Sequence, residues 1–133
     1  MENKKVKWLI YTVLIGLIPI FTRVLIWSVT NGQVAVISPS DIIIFGLILH
    51  ISNINELEHY EKDKSWKTIH NGISITFIVF YGLLFTLTLL SEIKPKFIDY
   101  TIVTYISTIF SIGSFIISYS IYDRINKSIE EIR

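Results

Sequence analysis

Four long apolar stretches, nearly free of charge, alternate along this chain with short polar ones, and each apolar stretch has helical length and periodicity. The last is the clearest. Residues 100–122 carry no charged side chain. As an α-helix they cover ~34 Å, enough to cross a bilayer core that takes about 20 residues. Thr101, Thr104, Ser107, Ser111, Ser114 and Ser118 recur at steps of three and four, which puts them on one helix face. Ile102, Tyr105, Ile109, Ile112 and Ile116 occupy the rest of the surface. A greasy helix with one small, polar seam expects a neighbouring helix, or water, along that seam.

The first stretch follows a basic leader, Lys4, Lys5 and Lys7, and predicts a span over residues 7–29. The run continues past Arg23 with no small-residue cleavage box, which argues against a signal peptide. Trp8 and Trp27 fall where interfacial aromatics are expected. Pro19 removes a backbone donor inside the helix and predicts a kink. Thr12, Gly16, Pro19 and Arg23 share a face.

Ser38, Pro39 and Asp41 read as a helix start: a cap, a first-turn proline and an acid at the capping-box position. The second span is predicted over residues 39–57, with Gly46, His50 and Asn53 on one face and His50 ~16 Å along the axis, near mid-bilayer. Its helix is expected to continue into the polar segment 56–70, where Glu58 and Lys62, then Asp63 and Lys67, stand four apart with the acid first. The third span, residues 71–91, has a weaker small-residue face of Gly72, Thr76, Gly82 and Thr86. Lys94-Pro95-Lys96 turns the chain into the fourth span, residues 99–122, and the tail from Asp123 reads as a frayed helical end. The loops are too short for another folded unit. The expectation is therefore an all-α protein of one domain, residues 1–133: an integral membrane four-helix transmembrane bundle.

Composition narrows the picture further. Hydrophobic residues make up 51% of the chain and charged residues 17%, against about a quarter charged in soluble domains. Lys plus Arg number 12 and Asp plus Glu 11, so no basic field invites nucleic acid. The absence of cysteine excludes disulfide frameworks, thiolate metal sites and membrane thiol oxidoreductases. With a cytoplasmic N-terminus, the inner side would hold Lys4, Lys5, Lys7, Lys62, Lys64, Lys67, Arg124, Lys127 and Arg133, against Lys94 and Lys96 outside. That asymmetry predicts both termini, and the charged hairpin 56–70, on the cytoplasmic side.

Candidate chemistry is sparse. Arg23 is the one formal charge well inside a span, with Asp41 at the start of the next helix as its natural partner, snorkelling as the simpler alternative, and a pore or ligand role as the functional one. His50 and Asn53 are candidates for a pore-lining or proton-sensitive position, or for interhelical hydrogen bonds. Ser107, Ser111, Ser114 and Ser118 either pack against a helix or line a wet path or a subunit interface. Ser111 to Ser114 with His50 could be imagined as a serine-nucleophile dyad, but nucleophiles are identified by geometry and serines recur here at packing spacing. His59, His70 and the nearby acids lack metal-ligand spacing. No cofactor and no enzymatic activity are expected. Glu56, Glu58, Glu61, Lys62, Lys64 and Lys67 form the surface on which a cytosolic protein could dock.

In size and layout the chain resembles small four-span bacterial membrane proteins of phage-exclusion and phage-defence systems, RexB-like or like the transmembrane subunit of the Kiwa system. The resemblance covers the whole chain as a topology of basic leader, four spans, charged inner hairpin and short tail. It carries no motif and assigns no residue a role. It implies a multi-pass protein of the bacterial inner membrane, a non-enzymatic, homo-oligomeric membrane effector or membrane subunit that could recruit a cytosolic partner. A small ion channel or holin-like pore, and a passive immunity or scaffold protein that binds another membrane protein, are the alternatives.

Overall fold

The computed structural model describes residues 3–132. It is all-helical, with 84% of the chain in helix, and no strand occurs among the described residues. Four helices are long and apolar enough to cross a membrane: α1 (Lys4–Val29), α2 (Pro39–Glu58), α3 (Lys64–Ile93) and α4 (Tyr100–Ile132). Lys4 of α1 meets Glu56 of α2, and Asp63 before α3 meets Arg124 of α4. Successive helices therefore run antiparallel. The start of α1, the α2–α3 turn and the last turns of α4 gather at one end, called here the charged end.

Local chemistry sets the helix limits. Asn3 caps α1 by accepting from the backbone N–H groups of Lys5 and Val6. A π-helical turn, Leu9–Leu14, interrupts α1 early, and the helix then runs on through Pro19. The missing N–H of Pro19 predicts an irregularity there, and nothing in the sequence pattern signals the π-turn. Asn31 and Gly32 stop α1 in left-handed conformation, with φ of 52° and 79°, and the Gly32 N–H closes on the Trp27 carbonyl. Ser38 does stand at the start of α2 with Pro39 in its first turn, but its hydroxyl makes no capping bond. Asp41 turns to Arg23 instead of back to the helix start.

The polar segment departs most from expectation. The helix does not continue through it: α2 ends at Glu58, and α3 begins at Lys64 with Asp63 as its cap, accepting from the Trp66 N–H at 3.1 Å. Glu58 and Lys62 thus do not share a helix. Lys67 donates to the Glu58 carbonyl across the turn. Asp99 caps α4 through the Thr101 N–H at 2.9 Å, and α4 continues well past Asp123, to Ile132.

α2 is the centre of the bundle, packed along its length on α3 and α4, with α1 on its remaining side. Two glycines make this possible. A Cβ on Gly46 would lie 2.2 Å from the Tyr81 ring, so only glycine lets that phenol cross α2. A Cβ on Gly16 would meet the Phe45 ring at 3.0 Å. One apolar cluster joins Trp8, Val13, Phe45, Leu49, Leu57, Ile121 and Ile125 towards the charged end. Another joins Ile43, Tyr81 and Leu84, with Phe77 and Phe110 against it. Trp8 was expected at an interface and is instead only 2% exposed. It stacks on Tyr122 of α4, ring centroids 5.0 Å apart. Trp27 is exposed.

At the end away from the charges, the Arg23 Nε donates to Asp41 Oδ2 at 2.5 Å, both side chains partly buried. This pair ties the far half of α1 to α2. Removing one member leaves the other charge stranded in apolar surroundings. Arg23→Ala and Asp41→Ala should each destabilise the bundle, with a double-mutant coupling of about 0.5–3 kcal/mol. Thermal unfolding of the four proteins of the cycle in detergent measures it, and strict additivity would count against the pair.

Candidate functional site

The buried face of α2 that carries Gly46, His50 and Asn53 is the face pressed between α3 and α4. His50 is fully buried at mid-bundle. Its Nδ1 lies 3.1 Å from the Ser74 hydroxyl of α3, and its Nε2 lies 2.8 Å from the Ser114 hydroxyl of α4. Tyr81 of α3 brings its own hydroxyl to 2.6 Å from the same Ser114 oxygen. Phe77 stacks on the imidazole, centroids 4.7 Å apart.

Counting hydrogens assigns every donor in this network. Ser114 Oγ lies 2.8 Å from the Phe110 carbonyl, which can only accept, so the serine hydrogen goes there. The serine oxygen must then accept from both Tyr81 O–H and His50 Nε2–H. A neutral imidazole protonated on Nε2 leaves Nδ1 as an acceptor, and Ser74 O–H donates to it. Four side chains from three helices are satisfied at once, which an apolar interior demands.

The same count bears on the serine-nucleophile idea. The structure does bring Ser114 and His50 together, but a nucleophile would have to give its proton to His50 Nε2. Here the serine takes a hydrogen bond from that nitrogen and gives its own to a backbone carbonyl. The imidazole is oriented by Ser74, not by a carboxylate. The geometry is that of an interhelical tie.

Ser107, Ser111 and Ser118 also lie on the buried side of α4, and Ser111 donates to the Thr108 carbonyl at 2.9 Å. Of the two threonines in the expected seam, Thr104 is half-buried and Thr101 exposed, so the buried seam is the serine part. Asn53, fully buried, finds no protein partner for Oδ1 or Nδ2, and neither Ser107 nor Ser118 finds one for its hydroxyl.

Sequence reasoning missed Ser74 and Tyr81. Along α3 the residues turned inward are Ser74, Phe77, Tyr81, Leu84, Thr88 and Ser91, all buried or half-buried. Their three-four spacing was legible, but Gly72, Thr76, Gly82 and Thr86 offered a competing face. Those four residues are exposed, and a Cβ on Gly72 or Gly82 would meet nothing within 4 Å. Ser52 was also missed: its hydroxyl sits 2.6 Å from Tyr122 O–H and 3.4 Å from Thr12, which ties α1, α2 and α4 towards the charged end.

The charged end is held by pairs within the chain. Lys4 binds Glu56, Lys5 and Lys127 both reach Asp123 at 2.9 Å, and Arg124 bridges to Asp63 at 3.1 Å while covering the Trp66 ring. Lys62 donates to the Ser128 carbonyl at 2.8 Å. Of the six residues expected to receive a partner, Glu56, Lys62 and Lys67 are thus engaged internally, while Glu58, Glu61 and Lys64 are exposed. A groove of about 560 Å³ at this end sets Lys62, Arg124 and Lys127 against Asp63, Asp123 and Glu131, so it favours neither sign of charge. No three His, Asp or Glu side chains among the described residues are grouped to hold a metal ion.

Comparison with protein-family models, curated proteins and solved structures returned no match.

Ser114 and Ser111 provide a matched test of the network. Ser114→Ala strips His50 Nε2 and Tyr81 O–H of their shared acceptor and should cost ~1–3 kcal/mol. Ser111→Ala removes only a bond to its own helix and should stay within about 0.5 kcal/mol of the parent. Thermal unfolding in the same detergent compares them, and equal costs would remove the network from the account.

Proposed function

We propose that the chain is a non-enzymatic, multi-pass protein of the bacterial inner membrane, with both termini in the cytoplasm. It acts as a membrane subunit that assembles with further copies of itself and receives a cytosolic protein at its charged end. The observation that carries this reading is the sorting of polarity. Mid-bundle polar groups such as His50, Ser74 and Ser114 turn inward and pair, while outward positions are held by residues such as Ile109, at 68% exposure, Ile116, Leu83 and Val79. In water so continuous an apolar surface would drive association; in lipid it is solvated.

The Lys/Arg asymmetry supports the orientation. The outward Gly72, Thr76, Gly82 and Thr86 of α3 would let a second copy approach closely. Of the six hairpin charges, Glu58, Glu61 and Lys64, exposed on the α2–α3 turn and its flanks, are left to meet a cytosolic partner. Layout alone supports a phage-defence setting. A small channel is the second reading, favoured by the unpartnered buried side chains of Asn53 and Ser118.

Paired topology reporters test the orientation. A cytoplasm-active fusion after residue 133 should be active, and an export-active fusion at Lys94–Lys96 should be active too. The reverse pattern would overturn the orientation. A detergent-extracted mass of one chain would remove self-assembly, and ion flux into liposomes would favour the channel.

A further inference from the structure

One helical turn from His50 towards the charged end, three helices bring polar side chains to a common level. The bonds of His50 to Ser74 and Ser114 fix the relative register of α2, α3 and α4. Asn53 lies three residues beyond His50 on α2. Asn71 lies three before Ser74 on the antiparallel α3, and Ser118 four beyond Ser114 on α4. Each step is ~4.5–6 Å along its axis in the same direction and keeps the same helix face. Asn53 and Ser118 are fully buried. Asn53 Oδ1 and Nδ2, Asn71 Oδ1 and Ser118 Oγ have no protein partner.

Buried donors and acceptors that share one level of the bundle call for a ligand that satisfies them, because unpaired polar groups in an apolar interior are costly. The donor set says which. A bare cation would take the oxygens of Asn53, Asn71 and Ser118 and leave the Asn53 Nδ2 hydrogens unpaired. An anion would face two amide oxygens. Water both donates and accepts, and so matches amide nitrogen, amide oxygen and hydroxyl together.

We propose that Asn53, Asn71 and Ser118 form a buried water-binding site beneath His50, filled from the charged end along the flank of α3. The direct axial route is closed by the buried Leu57, Tyr60, Ile121 and Ile125. Asn71 and its neighbour His70 are only half-buried, and His70 Nδ1 is a further unpartnered atom on that flank. Ser107, also buried without a partner, lies two helical turns from Ser114 in the opposite direction, at the level of Ile43 and Tyr81, with no amide beside it. The charged half of the bundle is therefore hydrated to within one turn of His50, whereas among the described residues Ser107 has no second unpaired group at its level to complete the two or more partners that a water needs.

Water-edited solid-state NMR of the chain in phosphatidylcholine bilayers tests this, with Ser107 as the matched buried serine on the same helix. The Asn53 side-chain amide and Ser118 should take up polarisation from water several-fold faster than Ser107. Uptake as slow as at Ser107 would overturn the site. An Asn53→Leu variant gives a second reading by thermal unfolding. If Asn53 bridges through water to Asn71 and Ser118, the variant unfolds at a lower temperature. An unchanged or higher transition would mean that Asn53 was merely unpaired, and would sink the proposal.

Discussion

An imidazole sealed inside an apolar bundle has to find partners for both ring nitrogens, and that requirement organises this molecule. His50 finds them on two different helices, Ser74 on α3 and Ser114 on α4. Apolar side chains alone would tolerate a slide of one helix past another, since between helices in lipid the hydrophobic effect supplies little preference. The polar contacts do not tolerate it. Tyr81 adds a further bond to Ser114, and its ring passes α2 only because residue 46 is glycine.

The other ties reinforce this centre. Ser52 and Tyr122 repeat the arrangement nearer the charged end, joined by Thr12 of α1. α1 is otherwise the least embedded helix, clipped at its start by Trp8 on Tyr122 and at its far half by Arg23 on Asp41. The charges at the common end mostly answer one another, so that face is close to neutral and held together by its own pairs.

Much of this was legible beforehand, and the reasons are physical. Length and charge-free runs mark helices of membrane-crossing size, so the four elements could be placed within a few residues at most ends. The Arg23–Asp41 pair followed from the rarity of a charge within such a run. The inward face of α4 was legible because its serines repeat at helical spacing, and that of α2 because Gly46, His50 and Asn53 do. The inward face of α3 was not, because small residues stand on both of its sides and only packing chooses between them. Trp8 misled because a tryptophan at a span boundary suits an interface, and nothing local shows that Tyr122, far along the chain, will cover it. The break at 59–63 was hidden by well-spaced acid–base pairs, since Asp63 suits a helix cap as well as a helix interior.

The bundle presents an apolar outside and an inside pinned by one histidine. The donors and acceptors around Ser114 hold that inside together, and the His50 tautomer reads them directly. Nitrogen-15 NMR of the histidines in bilayers, with His50 assigned by its loss in His50→Gln, reports which ring nitrogen carries the proton. The network requires Nε2 protonated and Nδ1 bare; a His50 protonated on Nδ1 alone would mean that Ser114 does not receive it, and the central tie would fail.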